Sequence, residues 1–119
     1  RFEILLSPQA ARSYRALPAF QRAAVRDALE THLRHEPTKT SKSRIKRLRK
    51  LHQPQYRLRI EELRAFYDVI GQEVQVLDIV SKDQAQAWLD AYGTPEPEVA
   101  LAAVKDDFSR YLRLAATEE

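Results

Sequence analysis

Cysteine is absent from this chain of 119 residues. Disulfide bonds and metal sites with thiolate ligands are therefore excluded. Imidazole groups come only from His32, His35 and His52, and their spacing does not match a metal-binding motif such as His-Glu-x-x-His. We predict neither a bound metal nor a cofactor.

Long apolar segments are absent as well. No run approaches the roughly 18 residues needed to cross a bilayer, and no long apolar signal segment stands at the N-terminus. The sequence accordingly predicts a cytoplasmic protein without a membrane partner. Apolar residues still make up 44% of the chain, and its length suits one domain of ordinary size.

Charge is spread unevenly along the chain. Residues 34–64 contain 11 basic and 3 acidic residues, whereas residues 95–119 contain 3 basic and 6 acidic residues. The chain therefore combines a basic body with an acidic tail. Such a distribution favours an anionic partner, most often a nucleic acid.

The N-terminal third of the chain predicts one strand and two helices. Residues 1–6 alternate in the manner of a strand. Ser7 and Pro8 then have the chemistry of an N-cap and a first helical position, and Pro18 ends this helix. A second helix over about residues 19–35 would complete a helical hairpin.

The next part of the chain predicts a meander of three strands and a last helix. The sequence from Ser81 to Gln84 matches a capping box, and the helix after it would reach about Tyr92 and stop at Gly93. The order β-α-α-β-β-β-α predicts an α+β fold with one antiparallel sheet against the helices, plus an extra C-terminal helix. The three strands are predicted at 56–60, 63–70 and 73–79.

Arginine alternates with apolar residues in the strand 56–60. Because strand side chains point to opposite faces in turn, Arg57 and Arg59 should project away from the helices. Arg64 and Lys82 are placed to join them, and a phosphate-rich ligand would relieve the repulsion among the four cations. The alternative is a solvated outer face on which these cations pair with the nearby carboxylates of Glu61, Glu62 and Asp78.

Over about residues 2–93 the sequence resembles the RelE/ParE toxins of type II toxin–antitoxin systems. The N-terminal hairpin fits that resemblance. The motifs that carry it are Lys46-Arg47-Leu48-Arg49, Tyr56-Arg57-Leu58-Arg59-Ile60, Leu63-Arg64-Ala65-Phe66-Tyr67-Asp68-Val69 and Val76-Leu77-Asp78-Ile79-Val80. The resemblance implies a toxin domain at 1–93 and, as partners, a cognate antitoxin, the ribosome and messenger RNA.

RelE-like members cut messenger RNA in the ribosomal decoding site by attack of a ribose 2′-hydroxyl on the adjacent phosphate. This chemistry needs a base, cations for the phosphorane charge and a proton donor. The resemblance implies catalytic roles for Arg57, Arg59, Arg64 and Lys82. We predict RNA contacts for Lys46, Arg47, Arg49, Lys50 and Trp88.

The sequence departs from the RelE pattern at two places. Arg57 and Arg59 stand where RelE-like sequences often have lysine, and arginine is a poor general base. Trp88 falls near a tyrosine that assists in some members; it can stack on a base or fill the core but cannot transfer a proton. His52 is a further candidate for a titrating group.

The predicted function is therefore a ribosome-dependent mRNA endonuclease with reduced acid–base power. Two alternatives stay open at this point. ParE-like members share the fold and inhibit DNA gyrase, and a non-catalytic binding module would keep only partner recognition.

The tail has a resemblance of its own. After a predicted linker at 94–98, residues 98–115 are similar to the start of Phd-type antitoxins, in which a short strand precedes a helix. Residues 99–119 would then be an antitoxin-like fragment. The alternative is a plain amphipathic helix whose stripe with Phe108 and Leu112 packs on the body or, in a homodimer, on a second copy.

Overall fold

The computed structural model describes residues 1–96. The chain begins with strand β1 (Glu3–Leu6), followed by helices α1 (Pro8–Ala16) and α2 (Ala19–Leu33). The remaining elements are β2 (Ile45–Arg47), β3 (Leu51–Gln53), β4 (Tyr56–Ile60), β5 (Leu63–Ile70), β6 (Glu73–Ser81), a 3-10 turn (Lys82–Gln84), α3 (Ala85–Tyr92) and β7 (Thr94–Pro95).

These elements confirm the predicted α+β class and the order of its main strands and helices. Five strands form one sheet in the order β1-β6-β5-β4-β2, and β3 pairs with β7 in a separate two-stranded sheet. The large sheet is mixed, because β1 runs parallel to β6 while the other pairs are antiparallel. The helical hairpin causes this difference from the predicted antiparallel sheet, since it carries the chain back over the sheet before the meander begins.

The helix signals near the N-terminus act as predicted. The Ser7 hydroxyl accepts a hydrogen bond from the Ala10 amide at 3.0 Å, and Pro8 opens the first turn of α1. Ser7 also donates to the Leu77 carbonyl at 2.7 Å, which ties the start of α1 to β6. The N-cap thus fixes where the hairpin lies against the sheet.

The core lies between the hairpin and one face of the sheet. Alternate residues of β4 point into it, and Tyr67 on β5 is fully buried with its hydroxyl donating to the Pro37 carbonyl at 2.6 Å. Opposite residues of an antiparallel pair share a face, so the register extends this apolar layer from strand to strand. Its fully buried members include Val25, Leu33, Leu58, Ala65, Val74 and Val76.

One local prediction was wrong, and two short strands were not predicted. Ser81 makes no capping hydrogen bond, because β6 continues through it and the next amide, that of Lys82, donates to the Glu62 carbonyl at 2.8 Å. A 3-10 turn then leads into α3. The strands β2 and β3 were not predicted, since three residues are too few to display an alternation.

The first residues of the predicted linker, Thr94–Pro95, form β7. The C-terminal helix, the antitoxin-like fragment and the dimer contact fall on residues 97–119, outside the part of the chain that the structure describes. They stay predictions, as does the division into domains. Within residues 1–96, no helix has both the length and the apolar character needed to cross a membrane.

Candidate functional site

The outer face of the large sheet carries three arginines, Arg57, Arg59 and Arg64, and is called the arginine face below. The register of β4 against β5 pairs Arg59 with Arg64 and Arg57 with Phe66. Both pairs lie on the face opposite the core, because the residues between them point to the hairpin. Arg59 is exposed, whereas Arg57 and Arg64 are half-buried.

A fourth arginine extends this row of cations beyond β4. The Arg59 amide donates to the Arg44 carbonyl at 2.9 Å, and Arg44 Nη1 donates to the Arg59 carbonyl at 3.0 Å. Arg44, Arg59 and Arg64 therefore follow one another across the sheet. Neighbouring strands are about 4.8 Å apart, so the row presents closely spaced positive charge. Sequence reasoning missed Arg44; its place just before β2 in the basic segment 34–64 was the available signal.

The Arg64 side chain is held in place by two backbone carbonyls. Its Nη1 donates to the carbonyls of Glu61 at 2.9 Å and Leu63 at 2.8 Å. Burial, and then the positive charges of Arg57 and Arg59, lower the pKa of the Arg64 guanidinium. An arginine stays protonated despite such a shift. Burial is the larger cause of the lowered pKa, and the neighbouring arginines add to it.

None of the three arginines of this face forms an ion pair with a carboxylate of residues 1–96. The Nε atom of Arg57 is buried and has no hydrogen-bond partner in the described chain. An anion in front of the sheet would meet several N–H donors whose hydrogen bonds the protein does not fill. Arginine presents such donors in a fork that matches phosphate oxygens.

Lys82 differs from the arginines because it has a carboxylate partner. Its Nζ lies 2.9 Å from Glu62 Oε2. The hydrogen bond from Lys82 is the largest cause that lowers the pKa of the Glu62 carboxyl, and Arg64 and Arg59 add smaller effects. Lys82 therefore lies beside the arginine face but is partly neutralised.

Trp88 packs on the same sheet face as Arg57, against Phe66. Its ring stacks on Phe66 with centroids 4.7 Å apart, and its Nε1 donates to Asp78 Oδ2 at 2.8 Å. Asp78 also accepts from the Ser13 hydroxyl at 2.6 Å and from the Ile79 amide at 2.8 Å. One face of the indole and its N–H are thus occupied by the protein, which favours the alternative reading of Trp88 as a packing residue.

The basic segment before β4 is divided between the two faces of the sheet. Lys46 pairs with Arg57 and belongs to the arginine face, whereas Arg47 pairs with Tyr56 on the other face. The Arg47 guanidinium lies over the Tyr56 ring, 5.2 Å from its centroid, and donates to the Gln55 carbonyl at 2.6 Å. Arg49 and Lys50 are exposed in the turn between β2 and β3.

Phosphate binding and charge stabilisation are the chemistry that this site supports. Guanidinium groups offer no base for a hydroxyl proton. His52 lies on β3, in the small sheet. Among residues 1–96 no group of three or more acidic or imidazole side chains is arranged to hold a metal ion.

Comparison with known proteins gives a match at the level of structure. Neither a family model nor a curated protein sequence matches this chain. A chain of the toxin–antitoxin complex RelBE2 from Mycobacterium tuberculosis superposes with a TM-score of 0.58 and 22% identity, over 68% of this chain and 98% of that one. The chain has a RelE-like fold.

Two further solved structures share the RelE-like fold. A chain of the RelB–RelE antitoxin–toxin complex from Methanococcus jannaschii has a TM-score of 0.56 and 15% identity, over 71% of this chain and 96% of that one. The YoeB dimer from Staphylococcus aureus has a TM-score of 0.53 and 20% identity, over 67% and 95%. At these identities the likeness is one of fold, and the chemistry must be argued from the side chains.

Proposed function

We propose that this protein is the toxin of a type II toxin–antitoxin system and that it cleaves messenger RNA on the ribosome. The observation that carries the proposal is the cross-strand pair Arg59–Arg64 with Arg57 beside it, none of which pairs with a carboxylate of residues 1–96. Repulsion among these cations costs stability, and a bound phosphate removes that cost. The RelE-like fold presents them on an open sheet face.

In the proposed reaction a ribose 2′-oxygen attacks the adjacent phosphorus. The bond to the 5′-oxygen of the next nucleotide breaks, which leaves a 2′,3′-cyclic phosphate and a 5′-hydroxyl. Arg64, fixed by two carbonyls, binds a non-bridging oxygen, and Arg57 and Arg59 stabilise the charge of the phosphorane. Lys82 supports them from the end of β6, in exchange for its contact with Glu62.

Proton transfer is the weak part of this site. Arginine side chains cannot take the 2′-hydroxyl proton at neutral pH, so water or a group of the ribosome takes it, and water or a group of the ribosome also supplies the proton to the 5′-oxygen. We therefore expect slow cleavage of free RNA and faster cleavage on translating ribosomes. We propose RNA contacts outside the reacting phosphate for Lys46, Arg49 and Lys50, and also for Arg47 and Trp88, which already contact Tyr56 and Phe66.

A cognate antitoxin is the proposed protein partner. The solved structures with this fold include RelB–RelE antitoxin–toxin complexes. A toxin of this class needs a partner that keeps it inactive, and an acidic segment would suit the basic body of this chain. Co-purification from cells that express the neighbouring gene would identify it.

The decisive experiment maps messenger-RNA ends on translating ribosomes with the whole chain, and assays DNA gyrase supercoiling in parallel. Cleavage that is lost in Arg64→Ala and kept in Arg15→Ala, an exposed arginine of α1, would support the nuclease. Intact RNA together with blocked supercoiling would instead establish gyrase inhibition. If neither assay responds, the nuclease proposal fails and a non-catalytic binding role is favoured.

A further inference from the structure

A cleft of about 330 Å³ lies at the β2 edge of the large sheet, between the end of α2 and the segment that leads into β2. Its polar walls come from His32, Glu36, Lys39, Ser41 and Arg44. None of these residues belongs to the site predicted from the sequence. The cleft therefore needs an explanation separate from the reacting phosphate.

Arg44 connects this cleft to the arginine face. It lines the cleft, and together with Arg59 and Glu61 it also lines a second, smaller depression of about 220 Å³. Its bond to the Arg59 carbonyl places the guanidinium between the two. A chain of phosphates that lies on Arg64 and Arg59 thus has a continuous basic path over Arg44 into the cleft.

The walls of the cleft are held in place by local hydrogen bonds. The Ser41 hydroxyl accepts from the amides of Arg44 at 3.0 Å and Ile45 at 3.4 Å, which fixes the turn before β2. Burial, and then the charge of Arg44, lower the pKa of His32, so that its ring is neutral at physiological pH. A neutral imidazole offers one N–H donor and a flat surface for a base.

The charges in the cleft leave one cation without a partner. Lys39 lies 3.3 Å from Glu36, and both side chains are largely exposed. Arg44 forms no ion pair with a carboxylate of residues 1–96. The cleft therefore has the charge balance of a site for a single anionic group.

We propose that the cleft binds a second phosphodiester of the same RNA, next to the phosphate on the Arg59–Arg64 pair. This inference rests on the proposed function, because it extends the RNA path from the reacting phosphate. A carboxylate of a protein partner has similar charge, but the continuity from Arg64 through Arg44 favours a polymer of evenly spaced anions. The expected ligand is single-stranded RNA longer than the reacting dinucleotide.

The test measures the affinity of the whole chain for a labelled 2′-O-methyl RNA dinucleotide and hexanucleotide, in which the attacking hydroxyl is blocked. Arg44→Gln and Lys39→Gln should each weaken the hexanucleotide by about fivefold and leave the dinucleotide nearly unchanged. The salt slope of hexanucleotide binding should fall by about 0.7 for each cation removed. Glu36→Gln should tighten hexanucleotide binding, since it releases Lys39.

Controls separate this inference from the proposed function. Arg64→Ala should weaken both RNAs, and Arg15→Gln should weaken neither. If Arg64→Ala has no effect on either length, the proposed function itself fails. If Arg64→Ala weakens both but the Lys39 and Arg44 variants change neither, only the cleft proposal fails.

Two further outcomes would overturn the cleft proposal. An equal loss of affinity for both RNA lengths in Arg44→Gln would show that the substitution acts through the contact with Arg59. Lys39→Gln leaves that contact intact and therefore tests the cleft independently. If Arg44→Gln and Lys39→Gln lose binding to a synthetic peptide of residues 97–119 but bind RNA as the native chain does, the cleft is a site for an acidic peptide. Thermal unfolding of each variant establishes that it folds.

Discussion

Arg59 and Arg64 lie directly opposite each other on β4 and β5, on the face of the sheet that the helical hairpin leaves open. Like charges in this position destabilise an antiparallel pair. The same repulsion contributes to the lowered pKa of Arg64, of which burial is the larger cause. The chain keeps an arrangement that is unfavourable for folding, which is what a phosphate-binding surface requires.

Replacement of Arg59 should therefore stabilise the fold while it weakens the site. We expect Arg59→Gln to raise the free energy of unfolding by about 0.5 kcal/mol at low salt, because it removes a cross-strand repulsion. Urea unfolding at low and high salt measures this. The gain should shrink as salt screens the charges.

A matched control comes from an arginine outside the cluster. Arg15→Gln removes an exposed charge from the last turn of α1, where a cation interacts favourably with the helix dipole. It should leave stability unchanged or slightly lower it. If Arg59→Gln destabilises the protein as Arg15→Gln does, the repulsion between Arg59 and Arg64 does not contribute measurably to stability.

Asp78 supports the packing of Trp88 on Phe66, next to the arginines. It is 3% exposed and accepts hydrogen bonds from Ser13, Ile79 and Trp88, on three different elements. Asp78→Ala should lower the free energy of unfolding by about 2–4 kcal/mol, since it leaves buried donors without partners. Denaturant unfolding gives the loss.

The single tryptophan of the chain provides a local signal for the same change. Fluorescence of Trp88 should shift to longer wavelength in Asp78→Ala, because the freed indole N–H turns to water. Asp78→Asn keeps one acceptor oxygen for Trp88, and its amide can donate to Ser13 although it cannot accept from Ile79, so its loss should be smaller than that of Asp78→Ala. Equal losses in both variants would contradict the assigned hydrogen bonds.

The sequence predicted most of the fold because its signals are local and strong. The Ser7-Pro8 helix start and the alternation in 56–60 depend on neighbouring residues alone, and the structure has both. The parallel partner of β1 was not predicted, since pairing with β6 depends on how the hairpin crosses the sheet. Ser81 shows the same limit. Its predicted capping box does not form, and the Lys82 amide instead donates to the Glu62 carbonyl.

The candidate site was predictable only where it follows strand alternation. Alternation placed Arg57 and Arg59 on one face, and the register then adds Arg64. Arg44 lies outside a regular strand and reaches the site through a side-chain bond to Arg59. A run such as Lys46-Arg47 looks uniform in sequence, yet its two side chains belong to opposite faces. These placements depend on which residues pair across neighbouring strands, and a local sequence pattern does not contain that information.

His32 should make stability depend on pH below neutrality. Its folded-state pKa is lowered from 6.5 by burial and, to a smaller extent, by Arg44. As pH falls through about 6.5, the unfolded chain therefore takes up a proton before the folded one does. The free energy of unfolding therefore decreases as pH falls, until the folded-state imidazole is protonated as well.

Substitution of His32 isolates this contribution. Between about pH 7.5 and 5.5, above the range in which exposed carboxylates titrate, the free energy of unfolding should fall less steeply in His32→Gln than in the native chain. Arg44→Gln should reduce the slope only in part, because burial is the larger cause of the lowered pKa. Urea unfolding across this range measures all three proteins. Identical slopes in the native chain and His32→Gln would show that the cleft does not disfavour the imidazolium, which would contradict the lowered pKa of His32.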